Sequence, residues 1–142
     1  MSLKQIIGIA NTLKDINSNF NIILVGTQQD RSVLLANQEL PDNVFLPTFS
    51  DYNIFHSFEL IKRSDFVITT DTSILHATVA FNKPLVGLYL GGEQQNEVAI
   101  WGPGPNSINH QIIFSGGPLI DVGEIEIDKI VKSLLDLQNS VK

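Results

Sequence analysis

The chain has 142 residues, of which 43% are hydrophobic and 17% charged, and its formal net charge is −6. This length suits one compact domain, and the hydrophobic share excludes intrinsic disorder. The longest apolar runs, such as 85–90, fall far short of the roughly 20 residues of a membrane-spanning helix. Nine basic residues against fifteen acidic ones, without a Lys or Arg cluster, make nucleic acid and anionic membranes poor partners.

The chain contains no cysteine, which excludes disulfides, thiolate metal sites and cysteine nucleophiles. No secretion signal is visible at its start, because no basic segment leads into an apolar stretch with a cleavage site. A reduced, cytoplasmic setting fits both observations. The three histidines lie far apart in the sequence without metal-ligand spacing, and we expect no bound metal.

Apolar periodicity predicts alternating helices and strands along the chain. In the first half these are a helix over 3–17, a strand over 20–25, a loop over 27–30, a helix over 31–37, a strand over 44–46 and a helix over 56–64. In the second half they are a strand over 65–70, a helix over 74–81, a strand over 84–90, a long loop over 91–109, a strand over 111–114 and a helix over 125–137.

The alternation of elements, with strands that are apolar almost throughout, predicts a parallel sheet covered by helices on both faces. We therefore expect a doubly wound α/β fold in a single domain over residues 1–142, with no linker and no internal repeat. In such a sheet, ligands bind beyond the carboxyl ends of the strands, where the strand order reverses. The strand-to-helix turns are consequently the places to look for a site.

The turn after the strand at 65–70 is the richest of these. Asp71 ends the strand, Thr72 or Ser73 can cap the next helix, and His76 follows in its first turn. The free N–H groups and partial positive charge at the N-terminus of a buried helix favour an anion such as a diphosphate. The same pattern also fits a capped helix with a hydrogen-bonded histidine and no ligand. The residues alone leave both interpretations open.

Other candidates carry weaker signals. Gly91 and Gly92 follow a strand and could let a ligand approach the backbone, although glycine pairs also form ordinary turns. The chain has no G-x-G-x-x-G, P-loop or G-x-S-x-G motif, so dinucleotide sites, P-loops and serine hydrolases are not expected. Trp101 is either an aromatic lid over a ligand or an anchor that pins its loop to the core.

Residues 64–89 contain a specific pattern, in which Asp71-Thr72-Ser73 is followed by His76, a Lys-Pro turn and a further strand. The pattern resembles the lipopolysaccharide heptosyltransferases of glycosyltransferase family 9, which typically show Asp-Ser/Thr-Gly-x-x-His-x-Ala-x-Ala, a Lys-Pro turn and a strand ending in Leu-Phe-Gly. The segments 23–26, with Asp30, and 101–103 are similar to their counterparts in the family. The chain departs from the pattern at Ser73, where glycine is usual, and at 90–93, which replaces Gly-x-Thr.

The resemblance implies one half of a larger fold. In the family, two Rossmann-like domains face each other across a cleft, the GT-B arrangement, and this chain resembles only the C-terminal, donor-binding domain. We therefore expect a Rossmann-like sheet here and no N-terminal acceptor domain. In the family a strand precedes the first helix, which here begins near Leu3, so the sheet should have an unpaired position that is prone to self-association.

The resemblance also implies which residues bind the donor. By position these would be Asp71 near the sugar, Thr72, Ser73 and His76 at the diphosphate, Asp30 near the ribose, Thr48 and Phe49 near the base, and Gly91 and Gly92 in the turn after the next strand. No catalytic residue of the chain and no metal or other cofactor is implied, since the nucleotide-sugar is itself a substrate.

The function implied is transfer of a sugar, from ADP-heptose by analogy, to a lipid A-core or lipooligosaccharide acceptor held by the missing domain. We expect this chain to stabilise the departing diphosphate, to lack the base that activates the acceptor, and so to be inactive by itself. Its setting would be cytoplasmic, with peripheral association at the inner membrane only in the full-length protein. The alternatives are a nucleotide-sugar binding or regulatory module without catalysis, and an epimerase, for which only Asp71, His76 and Glu93 could act as acid and base.

Overall fold

The computed structural model describes residues 1–36, 40–48, 50–92, 94–104, 107 and 109–140. Its helices are α1 (Leu3–Ile16), α2 (Gln28–Leu35), α3 (Ile54–Arg63), α4 (Ser73–Ala80), α5 (Gln94–Trp101) and α6 (Ile127–Ser140), with a 3₁₀ turn at Val122–Glu124. Its strands are β1 (Ile22–Ile23), β2 (Val44–Phe45), β3 (Val67–Thr70), β4 (Leu85–Tyr89) and β5 (His110–Phe114). The predicted order of strands and helices is confirmed, with one helix added.

All strand pairs in the described residues are parallel, but they form two sheets instead of the single sheet expected. β3, β4 and β5 lie side by side in that order, and β1 pairs only with β2. β1 is also much shorter than predicted and not fully buried, because Ile23 is 50% exposed. Within the described residues β1 pairs with no strand besides β2, and β3 with no strand besides β4. That an unpaired position in the sheet favours self-association stays a prediction.

Helices cover both faces of the three-stranded sheet, as a doubly wound fold requires. On one face α1 packs against α6, and both contribute to a core with alternate residues of β4 and β5, including Val86, Leu88 and Ile113. On the other face α4 packs against α3, and its Leu75 meets Leu85 and Tyr89 of β4. Each such fully buried aliphatic side chain stabilises the fold by about 1.5–3 kcal/mol. The chain is therefore a Rossmann-like α/β domain.

A groove of about 370 Å³ separates the residues that lead into β1 from those that lead into β3. Phe20 lines it before β1, and Phe66 lines it before β3. Both side chains also pack against the core that α1 and α6 share. β1 and β3 are therefore the inner strands of the two sheets, and the strand order runs outward from the groove in both directions.

Capping residues explain where the helices begin. Ser2 and Gln5 form a reciprocal capping box at the start of α1, and Thr27 and Asp30 form one at the start of α2. Asn53 caps α3 by accepting from the Phe55 amide. These caps place the first residues of α2 and α3 earlier than the predicted 31 and 56, because apolar periodicity alone does not register a cap.

The predicted loop over 91–109 was wrong in part, because α5 occupies its first half. β4 and β5 are parallel, so α5 must carry the chain back to the amino ends of the strands, away from the edge where a ligand is expected. Trp101 ends α5 and is 60% exposed. It is therefore neither a lid over that edge nor an anchor in the core.

Gln5 offers a direct test of how α1 is fixed to α6. It is 2% exposed, and its side-chain amide donates to the carbonyl oxygens of Val122 (2.8 Å) and Ile125 (2.9 Å). Substitution Gln5→Leu removes the side-chain donor of both carbonyls and leaves that of Val122 only the Ile125 amide at 3.2 Å, so we expect a loss of about 2 kcal/mol in the free energy of unfolding. Urea denaturation measures this. The exposed Asn11→Ala on the same helix serves as control, and a loss no larger than that of the control would contradict the prediction.

Candidate functional site

The candidate site lies at the carboxyl ends of the inner strands, β1 and β3. The strand order runs outward from these two strands, which is the point in an open α/β sheet where ligands bind. The turn that joins β3 to α4 and the loop that joins β1 to α2 both begin at this edge. The first of these turns holds most of the residues predicted from the sequence.

Thr72 is the N-cap of α4, which decides between the two candidates for that role. Its Oγ1 accepts from the Ile74 amide at 3.3 Å, and its carbonyl oxygen accepts from the Leu75 amide at 3.0 Å. The Thr69 hydroxyl of β3 forms a hydrogen bond with the Thr72 hydroxyl, with 3.2 Å between the two oxygens. The cap is therefore fixed to the strand as well as to the helix.

α4 is anchored by two buried residues, and its N-terminal end is exposed. Leu75 and Thr78 are fully buried, and Thr78 Oγ1 donates to the Ile74 carbonyl at 2.7 Å. In the described part of the chain no acceptor receives the Ser73 amide. A helix end with a free N–H group and the positive end of its dipole suits an anionic ligand.

Three side chains predicted for the donor surround this helix end and are exposed. Asp71 precedes the cap, Ser73 is the first helical residue, and His76 lies three positions further on. Residues three apart on a helix lie on one side of it, so Ser73 and His76 are neighbours at the N-terminal turn. The structure thus brings together Asp71, Thr72, Ser73 and His76.

Asp30 has a role of its own at the start of α2. Its Oδ2 accepts from the amide of Thr27 at 2.9 Å and from the Thr27 hydroxyl at 2.6 Å. These hydrogen bonds lower the pKa of Asp30 below its ordinary value. The side chain remains exposed, so contact with a ribose stays a prediction, but its first function is to cap its own helix.

Of the residues predicted near the base and in the turn after β4, some lie outside the described residues. Thr48 is exposed after β2, whereas Phe49 and Glu93 are not described. Gly91 is buried, and its amide already donates to Ser115 Oγ at 3.0 Å. Gly92 has a positive φ of 84° and lies against Pro118. Both glycines therefore have a packing reason that the sequence did not reveal.

The comparison with known proteins bears directly on this turn. The model of glycosyltransferase family 9 (heptosyltransferase) matches residues 10–114, which include β1, α4 and β4. The chain belongs to glycosyltransferase family 9. The recognition of the family from residues 64–89 is thereby confirmed, together with the Rossmann-like fold.

One curated relative of this family 9 chain is "Putative lipopolysaccharide heptosyltransferase 4" of Escherichia coli (strain K12). The two are 28% identical over 138 residues, which are 94% of this chain and 35% of the relative. The chain thus spans about a third of the length of the curated relative that it matches. No solved structure matches it significantly.

Arg31 is a residue of the family 9 chain that the sequence analysis missed. It lies in the first turns of α2, is 9% exposed, donates to the Pro47 carbonyl at 3.0 Å and stacks 4.1 Å from the centre of the Tyr52 ring. No carboxylate pairs with it within the described ranges. It therefore places a positive charge at the carboxyl end of the β1–β2 sheet. Its position directly after Asp30 is the sequence feature that could have indicated this.

The described residues of the family 9 chain contain no group of three or more His, Asp or Glu side chains that could hold a metal ion. That the reaction needs no metal stays a prediction. No helix among them is long and apolar enough to cross a membrane.

Proposed function

We propose that this chain is the donor-binding domain of a heptosyltransferase-like glycosyltransferase and that it holds the diphosphate of a nucleotide-sugar at the N-terminus of α4. The observation that carries the proposal is the N-terminus of α4, which Thr72 caps and which is exposed at the carboxyl end of β3. The family 9 match over the same segment supports it. The nucleotide is proposed to be ADP and the sugar a heptose, by analogy with the relative's name.

The charges around the turn favour one orientation of the donor. The Ser73 amide and the dipole of α4 attract the diphosphate, and His76 can add a hydrogen bond from the same side. The Asp71 carboxylate repels phosphate oxygens, so it is better placed against the neutral hydroxyl groups of the sugar. The ribose and base then extend toward β1 and β2, where Asp30, Arg31 and Thr48 lie.

In the proposed reaction the chain acts on the leaving group. As the bond from the sugar to the diphosphate breaks, negative charge grows on the departing phosphate oxygen, and the end of α4 stabilises that charge. The acceptor is proposed to be a lipopolysaccharide or lipooligosaccharide core at the cytoplasmic face of the membrane. A base from polypeptide outside these residues would take the proton from its hydroxyl group.

Calorimetric titration with ADP tests the proposal. We expect saturable binding of modest affinity, and about a threefold to tenfold weaker binding by His76→Ala, because one exposed hydrogen bond to a phosphate is lost. The matched control is His110→Ala, since His110 lies at the amino end of β5, at the opposite edge of the sheet. Circular dichroism verifies that both variants fold.

Two results would contradict the proposal at different levels. Absence of ADP binding to the folded wild-type chain would remove the nucleotide assignment. If His76→Ala and His110→Ala weaken ADP binding equally, the nucleotide does not bind at the N-terminus of α4.

A further inference from the structure

The hydroxyl group of Tyr89 is one of the buried polar groups that lack a hydrogen-bond partner among the described residues. Tyr89 is 3% exposed, and its hydroxyl oxygen is buried without a hydrogen-bond partner among the described residues. Buried polar groups in folded proteins nearly always have a partner, so an exception calls for an explanation.

The position of Tyr89 connects it to the turn before α4. Thr70 of β3 pairs in register with Leu88 of β4, so one step further along the strands Asp71 lies beside Tyr89. The Tyr89 ring packs in one cluster with Leu75, which belongs to the first turn of α4. On its other side the ring lies 6.1 Å from that of Phe114. The Tyr89 ring therefore lies beneath the first turn of α4, at the strand position beside Asp71.

The surroundings keep this phenol protonated. Burial raises the pKa of Tyr89 to about 12, and the negative charge of Asp71 acts in the same direction. Below that pH the group is neutral, so at physiological pH it is a hydrogen-bond donor.

We propose that the Tyr89 hydroxyl donates a hydrogen bond to an oxygen of the diphosphate bound at the end of α4. The inference rests on the function proposed above and adds a binding residue to that site. Ser73 then supplies a donor from the helix and Tyr89 one from the strand beneath it, so the same phosphate group is held from two sides. Because β4 fixes Tyr89 and α4 fixes Ser73, the spacing of the two donors is set by the packing of Leu75.

Titrations of wild-type chain and Tyr89→Phe with ADP, inorganic pyrophosphate and adenosine test this role. The substitution removes only the hydroxyl group. We expect about fivefold to tenfold weaker binding of both ADP and pyrophosphate, and unchanged binding of adenosine, which has no phosphate. The ligand-free variant should keep the melting temperature of the wild type or exceed it, because the lost hydroxyl had no partner. Ser64→Ala, which removes a hydroxyl group at the amino edge of the sheet, is the control and should bind ADP as the wild type does.

The outcomes separate this inference from the proposed function. If the wild type binds ADP and Tyr89→Phe binds ADP and pyrophosphate equally well, the role of Tyr89 is wrong while the site remains. A clear fall in the melting temperature of ligand-free Tyr89→Phe would also overturn it, since the hydroxyl would then serve a partner within the protein. If the wild type fails to bind ADP, the proposed function itself fails.

Discussion

Incubated with ADP-heptose and a core-oligosaccharide acceptor, the 142-residue chain is expected to give no sugar transfer. The site proposed at the end of α4 would stabilise a departing diphosphate, but a transfer also requires an acceptor held in attack geometry. That positioning contributes roughly 7–11 kcal/mol to the barrier in well-oriented reactions. The chain matches about a third of its curated relative, and the proposed acceptor site lies in the remainder. Product analysis by mass spectrometry is the measurement.

Absence of transfer is informative only if the same preparation binds ADP. A full-length family member provides the positive control for transfer. Turnover well above background would contradict the prediction and would place the catalytic base within these residues. Asp71 and His76 would then be the first candidates for the base. Binding without turnover in a longer natural polypeptide as well would favour the alternative of a module that binds nucleotide-sugars without catalysis.

Gly91→Ala is expected to destabilise the fold by about 3 kcal/mol, because the added methyl group meets backbone that has nowhere to move. A Cβ at this position would lie 2.4 Å from the Ser115 carbonyl oxygen and 3.0 Å from the Gly117 amide nitrogen. The Gly91 amide also donates to Ser115 Oγ, so a shift of the backbone breaks that hydrogen bond. Thermal and urea unfolding measure the loss.

Gly116→Ala is the matched control for that substitution. A Cβ at Gly116 would approach only the end of the Ile120 side chain, at 3.2 Å, and that side chain is 43% exposed and can move. We expect the control to stay within about 0.5 kcal/mol of the wild type, as for other surface substitutions. Similar losses in both variants would show that the loop, and not the contact at Gly91, determines the effect.

Elements whose sequence pattern coincides with their burial could be predicted. α1 shows the helical spacing of Ile9 and Leu13, and β4 is apolar and buried throughout. α5 was missed because its apolar residues form no inward stripe: Ile100 is 73% exposed. β1 was predicted as a long buried strand from its apolar residues, yet only two of its residues pair with β2, and among the described residues no strand lies along its other edge.

The candidate site also has features that the sequence could predict and features that it could not. The end of α4 was predictable, since a cap, a buried helix and the preceding strand are all local features of the sequence. The proposed contribution of Tyr89 was not, because it depends on the register of β3 against β4 and on the packing of Leu75. The charge of Arg31 was likewise hidden, since its burial depends on Tyr52 and Pro47 from a distant loop.

The separation of the two sheets has a thermodynamic consequence for any nucleotide that reaches across both. The β1–β2 pair meets α1 through Ile22, which packs against the core that contains Ile9 and Leu13. Two polar contacts add to this: the Asn43 side-chain amide donates to the Ala10 carbonyl at 3.1 Å, and the exposed Lys14–Asp42 ion pair measures 2.6 Å. No strand hydrogen bonds join this pair to β3 within the described residues. We expect a two-stranded unit without strand hydrogen bonds to the larger sheet to open locally at a lower free energy than the three-stranded sheet. A ligand bound to both units must restrict their relative motion, so part of its intrinsic binding energy is spent on conformational entropy and its measured affinity is lower.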